Sequence, residues 1–289
     1  MTHEGKRTIG GDAELEGRGL FTGAHVRLRL RPAPPDHGLV LYRMDLTVDQ
    51  RPLPIPVRGE NVIYSQRRTM LKHGPASVET CEHVLGAVGA LGIDNLRIEV
   101  WGPEMPITDG SALPFVIALR GAGIQQQEGE RRAPRTLPKP LTVGTYPRID
   151  VAPVEGQSLR VSYDLDYGPG SPIRPQCVDY ELDAETFETA IAPARTYVLE
   201  EELVALQRDG LCLHLSPAEL LVIGPDGPLG GKTYRFPDEL ARHKVLDIIG
   251  DLMLLRRPLA GHVRAYRSGH ALNHALVREV NRILSSRPD

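Results

Sequence analysis

In the stretch ARHKVLDIIGDL (241–252), His243, Asp247 and Asp251 recur at every fourth residue. On a helix four residues is just over one turn, about 6 Å of rise, so His243 and Asp247 can reach one ion. Val245, Leu246, Ile248, Ile249 and Leu252 make an apolar side. Taken alone, the stretch therefore also fits an amphipathic helix with an ordinary polar face. A second candidate, EHVLGAVGAL (82–91), opens on a Glu-His pair. Such a pair suits metal-assisted hydrolysis, because one side chain can grip the ion while the other handles the proton of its water. It is not an HExxH motif, since no histidine stands four residues beyond His83.

Both candidates need elements that bring them together, and the pattern of the chain supplies them. EHVLGAVGAL aligns without gaps on HKVLDIIGDL (243–252), sharing Val-Leu, a glycine and the final leucine. A strand and then a similar loop follow each helix, DGSAL at 109–113 and SGHAL at 268–272. In the first half HVRLRLRP, GLVLYRMD and NLRIEV read as strands around a helix from Cys81 to Leu91. In the second, LRVSYDLDY and HVRAYRS do so around a helix over 239–255. The fold class is α+β: two copies of one unit, packed helix face to helix face. The polar, proline-bearing run QQQEGERRAPRTLPKP (125–140) reads as the connector. That divides the chain into domains 1–126 and 139–289 joined by a linker at 127–138. If the two helices face each other, Glu82 and His83 converge with His243, Lys244, Asp247 and Asp251, and His270 joins them from the SGHAL loop. Two histidines and one carboxylate suit a catalytic zinc site with water in the fourth position, leaving Glu82 free as a base.

Composition limits the alternatives. The 289 residues are 41% hydrophobic and 25% charged, which suits a folded globular protein with a buried core. A net charge of −3 gives no general nucleic-acid-binding surface. Cys81, Cys177 and Cys212 form no CxxC pair, which fits a reducing compartment. The segment MTHEGKRTIGG lacks the apolar core of a signal peptide, and no apolar run is long enough to span a bilayer. The expectation is a cytoplasmic protein with no integral membrane segment, still able to meet an amphiphile at a membrane surface.

Seven segments, in order, resemble the zinc-dependent UDP-3-O-acyl-N-acetylglucosamine deacetylases of lipid A biosynthesis: GRGLFTG (17–23), LRPAP (30–34), ETCEHVLGAVGALGIDN (79–95), EMPITDGSALPF (104–115), ARTYVLEEELVALQRDGLCL (194–213), RFPDELARHKVLDIIGDL (235–252) and YRSGHALN (266–273). The resemblance implies two α+β domains of like topology from an internal duplication, with helices sandwiched between sheets and the site at their junction. It implies zinc, with iron(II) as the alternative ion, on His83, His243 and Asp247. Glu82 would be the general base. His270 would balance charge or protonate the leaving amine, a role the sequence does not divide between it and Glu82. Thr196 would help hold the oxyanion, with Lys244 and Asp251 as polar support. Arg267 would lie near the nucleotide phosphates, Tyr167 on the uracil, and Tyr197 and Val198 beside the substrate. The insert VLEEELVALQRDGLCL would line an acyl passage. The implied substrate is UDP-3-O-acyl-N-acetylglucosamine, which would lose its N-acetyl group, and the implied assembly is a monomer. The chain departs from the family at Phe21, where histidine is usual, at Val198, where glycine is commoner, and at CLHLSPAE (212–219), which replaces a Gly-Gly-Ser turn. Val198 and Leu215 would narrow the passage. These departures keep open an amidase of the same fold acting on another acetylated sugar. A non-enzymatic binding protein is the remaining alternative, and the retention of Glu82, His83, His243, Asp247 and His270 argues against it.

Overall fold

The computed structural model describes residues 5–255 and 257–285. Alternation builds the first sheet: Val26, Leu28 and Leu30 are buried, while Arg27, Arg29 and Arg31 between them are partly exposed. Its strands are β1 (Ala13–Arg18), β2 (His25–Pro32), β3 (Leu39–Val48), β4 (Arg51–Pro56) and β5 (Leu96–Trp101), in the order β1-β2-β5-β3-β4. The second sheet contains β6 (Leu141–Gly144), β7 (Arg148–Ala152), β8 (Leu159–Leu165), β9 (Gln176–Glu181) and β10 (Leu259–Tyr266), in the order β6-β7-β10-β8-β9. The two orders are the same. So is the strand sense: β5 is antiparallel to β2 and parallel to β3, and β10 is antiparallel to β7 and parallel to β8.

The helices repeat the pattern. Helix α1 (Glu82–Ala90) precedes β5 and α2 (Leu113–Gly121) follows it. An insert then carries α3 (Glu200–Arg208), after which α4 (Glu239–Leu252) precedes β10 and α5 (His270–Ser285) follows it. One continuous core joins the inner faces of both sheets to α1 and α4. The two helices cross at glycines. A Cβ on Gly250 would press into the carbonyl oxygen of Glu82, and one on Gly86 would touch the Leu246 carbonyl at 3.6 Å. Small residues at the crossing let the two backbones approach and set α1 against α4.

The segment expected as a linker carries short strands. Residues Ile124–Glu130 pair antiparallel with Gly5–Ile9, and Arg135–Thr136 pair parallel with the start of β10. The Ile124–Glu130 strand is mostly exposed, so no hydrophobic period marks it in the sequence. Backbone pairing therefore holds the connector at both ends. The insert packs α3 beside a small sheet of Tyr197–Leu199, Leu221–Gly224 and Gly227–Pro228. Beneath it lies a separate apolar cluster that includes Phe21, Val198, Leu203 and Leu215. Among the described residues no helix is long and apolar enough to cross a membrane.

Candidate active site

The polar side of α4 is not a solvated face. His243, Asp247 and Asp251 are at most 3% exposed, and Glu82 and His83 at the start of α1 are equally buried. The helix crossing closes the two sets on each other. One ligand atom from each of His83, His243 and Asp247 lies within 4.8 Å of the others. The two imidazole rings stand nearly perpendicular with centroids 5.0 Å apart. His243 Nδ1–H donates to the Ala194 carbonyl at 3.1 Å, which turns its Nε2 lone pair toward Asp247. Lys244 Nζ donates to Asp247 Oδ2 at 2.7 Å. Asp247 Oδ1 is buried and has no hydrogen-bond partner. It lies 3.4 Å from His243 Nε2 without hydrogen-bond geometry. A buried charged oxygen left in this way costs several kcal/mol unless a cation meets it. These donors fit a divalent metal ion.

Their protonation states fit as well. Burial, reinforced by His243, holds His83 neutral with its pKa down to about 3, and burial lowers His243 too. Burial opposes charge on Asp247, but Lys244 foremost, with His270, outweighs it and holds the carboxyl well below the usual range. Neutral imidazoles and an ionised carboxylate are the metal-binding forms.

Beside this cradle lies a second pair. Glu82 Oε2 accepts the Thr69 backbone N–H at 3.0 Å. Burial raises the Glu82 pKa to about 7 against the pull of His270. His270 Nε2 is 3.6 Å from Glu82 Oε1 and 3.7 Å from Asp247 Oδ2. Its Nδ1 meets Asp251 Oδ2 at 2.8 Å. Burial disfavours the imidazolium, yet Asp251, Asp247 and Glu82 together lift its pKa to about 10. Asp251 is held far below the usual carboxylate range because His270, foremost among its partners, outweighs burial.

A cleft of about 630 Å3 opens over these groups. Of the candidate residues, all but Asp251 line it, and Asp251 stands behind His270. Thr196 reaches the cleft on a segment tied to both halves. Its N–H donates to the Gly110 carbonyl at 2.7 Å, and the neighbouring Arg195 pairs at 2.8 Å with Glu239, fully buried at the start of α4. The Tyr197 ring faces His243 at 6.3 Å and lies 5.8 Å from Lys244 Nζ. The Tyr167 hydroxyl is 3.4 Å from that of Tyr197. Arg267 adopts a positive φ of 54° and sets its guanidinium 5.2 Å from the centre of the Tyr146 ring. Leu20, Phe21, Val198, Leu206, Cys212 and Leu220 form an apolar wall. Phe21 is held there with the Arg68 guanidinium 3.9 Å over its ring.

Sequence reasoning missed four supporting residues. Thr69 is fully buried and its hydroxyl donates to Asp251, and Asn273 donates to Asp251 at 2.9 Å. Nothing local marks Thr69 or Glu239. Asn273 and His274, however, stand three and four residues beyond His270, the spacing that shares a helix face.

A cation cradle beside a buried carboxyl that titrates near neutrality is the composition of a metal-dependent hydrolase centre. Comparison with known proteins agrees with that class. The family model for UDP-3-O-acyl N-acetylglycosamine deacetylase matches residues 6–282, and the chain belongs to this family. It is 40% identical over 275 residues to the UDP-3-O-acyl-N-acetylglucosamine deacetylase of Myxococcus xanthus, covering 95% of this chain and 86% of that protein. The Anaeromyxobacter sp. protein of the same name is 40% identical over 283 residues, covering 97% and 90%. That of Syntrophotalea carbinolica is 37% identical over 275 residues, covering 94% and 86%.

Proposed function

We propose that the protein hydrolyses the N-acetyl group of UDP-3-O-acyl-N-acetylglucosamine, giving UDP-3-O-acyl-glucosamine and acetate, the committed step of lipid A biosynthesis. Family membership supports the substrate. The observation that carries the chemistry is the unpartnered Asp247 Oδ1 facing two neutral imidazoles beside Glu82. His83, His243 and Asp247 would hold zinc, with iron(II) as the alternative. A bound divalent ion supplies Lewis acidity, polarising a carbonyl and lowering the pKa of water toward about 7.

The protein's own groups then divide the remaining work. Glu82 takes a proton from the attacking water as the new C–O bond forms at the acetamide carbon. Its carboxyl, raised to about 7, is suited both to accept that proton and to return it to the amine as the C–N bond breaks. His270, kept cationic by Asp251, faces the same space and balances the developing negative charge. The Thr196 hydroxyl adds a donor to the oxyanion, a contribution typically worth about 3 kcal/mol. Lys244 fixes Asp247, while Arg267 would meet the diphosphate and Tyr167 the uracil. Tyr197 and Val198 border the sugar and the acyl chain, which would lie along the apolar wall. The two units, 1–126 and 139–289, we read as products of an internal duplication, acting as a cytoplasmic monomer.

The test is acetate release from UDP-3-O-acyl-N-acetylglucosamine by metal-loaded protein. The enclosure of Phe21, Val198 and Leu215 in the insert's apolar cluster supports one other reading, an amidase for a different acetylated sugar. No acetate from the first substrate, with turnover of another acetamido sugar, would establish it. A purified chain that never retains zinc or iron would instead favour a binding role.

A further inference from the structure

We propose that Thr69 and His274 are positioning residues that hold Glu82 and the Asp251–His270 pair in one frame. The inference rests on the reading of Glu82 and His270 as the groups that handle the proton and the charge. Thr69 touches three helices. Its carbonyl accepts the Cys81 N–H at 3.2 Å, just before α1. Its own N–H donates to Glu82 Oε2 at 3.0 Å, so its backbone brackets the base. Its hydroxyl reaches Asp251 Oδ1 on α4 and lies 2.8 Å from His274 Nε2 on α5.

Proton accounting sets the direction of each bond. A hydroxyl has one proton to give, and an ionised carboxylate can only accept. The Thr69 proton therefore goes to Asp251, and His274 must donate from Nε2 to the Thr69 oxygen. Asp251 Oδ2 meanwhile accepts from His270 Nδ1 at 2.8 Å and from Asn273 at 2.9 Å. Its carboxylate is thus gripped on both oxygens, and the plane of His270 follows from it. Without His274, the Thr69 oxygen loses its donor, because the nearby His270 Nδ1, 3.3 Å away, already gives its proton to Asp251. Neither Thr69 nor His274 lines the cleft. Both act through residues that do.

The test is steady-state kinetics on metal-loaded Thr69→Val, Thr69→Ser, His274→Leu and His274→Gln, with metal content and thermal unfolding measured on each. Thr69→Val and His274→Leu should lower kcat by about 10- to 100-fold, the usual cost of losing an outer partner. KM should stay within about twofold and metal content should not change. Thr69→Ser and His274→Gln, which keep the hydroxyl and a donor, should recover most of the rate. In an Asp251→Asn background, Thr69→Val should add little. Wild-type kcat in folded, fully loaded Thr69→Val, or a loss that Asp251→Asn does not absorb, overturns the proposal. If Thr69→Val fails to fold, the His274 pair decides, and equal wild-type rates for both overturn it. Imidazole N–H resonances give a readout independent of substrate: a slowly exchanging His274 Nε2–H signal is expected in the wild type and lost in Thr69→Val. Its absence from the wild type also counts against the proposal. Wild-type turnover by Glu82→Gln would instead refute the reading of the base itself.

Discussion

The glycine crossing makes a prediction whose sign separates two views of the interface. In Gly250→Ala the added methyl would press into the Glu82 carbonyl oxygen and lie 2.8 and 2.9 Å from its carbonyl carbon and Cα. All three are backbone atoms, so no rotamer change relieves the contact. Restoring ordinary carbon–carbon separations of about 3.5 Å requires the helices to part locally by about 1 Å. Alanine should by itself stabilise α4 by about 1 kcal/mol relative to glycine. Overpacking at the upper end of its range costs about 3 kcal/mol, leaving a net loss of about 2 kcal/mol. The same 1 Å moves Glu82 and His83 away from His243 and Asp247, a displacement worth on the order of 100-fold in rate. Urea unfolding and kcat/KM measure the two effects. Gly89, which aligns with Gly250 in the sequence repeat, provides the control. A methyl there meets the Met253 side chain, with Cγ at 3.0 Å and Cε at 3.3 Å, and that chain can turn aside. Gly89→Ala should cost under about 1 kcal/mol and leave activity near normal. A Gly250→Ala protein as stable and active as the wild type would refute the claim that this contact sets the site.

Other outcomes follow from the same geometry. Glu82→Gln should retain metal but lose about 10²- to 10⁴-fold in kcat, and near-normal turnover would remove Glu82 as the base. The rate should rise with pH through about 7 as Glu82 loses its proton, and fall again toward about 10 as His270 becomes neutral. Asp251→Asn removes the strongest of the groups that raise the His270 pKa, so the alkaline fall should move to lower pH; a pH–rate profile with an unmoved alkaline limb contradicts this. Glu239→Gln breaks a buried pair with Arg195 and should destabilise the fold by about 2 kcal/mol in denaturant unfolding while also lowering kcat through Thr196.

How far the sequence foretold the structure depends on the range over which each feature is determined. HVRLRLRP announced β2 residue for residue, because alternation is local and one face is buried. The two glycine-bearing helices were equally legible, and their alignment pointed to the α1–α4 contact. The Ile124–Glu130 strand at the start of the connector was not legible, because an exposed strand held by backbone pairing needs no hydrophobic pattern. Eleven candidate residues line the cleft with Asp251 behind it. Type and spacing pointed to Glu82, His83, His243, Lys244, Asp247, Asp251 and His270, whereas Thr196, Tyr167, Tyr197, Val198 and Arg267 came only from the family resemblance. Thr69 was invisible for the opposite reason: its partners Asp251 and His274 are more than 180 residues away. Glu239 was within a quoted motif, but its bond to Arg195 depends on a loop whose course no local pattern specifies.

The division of the proposed metal donors between the halves also bears on the order of assembly. His83 and His243 are separated by more than half the length of the chain. As the polypeptide emerges during synthesis, the first unit can complete its sheet while offering only one donor and its neighbouring carboxylate. Such a pair holds a cation weakly, and the remaining two donors arrive with α4. If these residues hold the ion as proposed, loading would be a late event, confined to a chain that has already docked one helix on the other. On that reading a nascent first unit would escape capture by whatever ion is abundant nearby, and selection among ions would fall to the finished cradle.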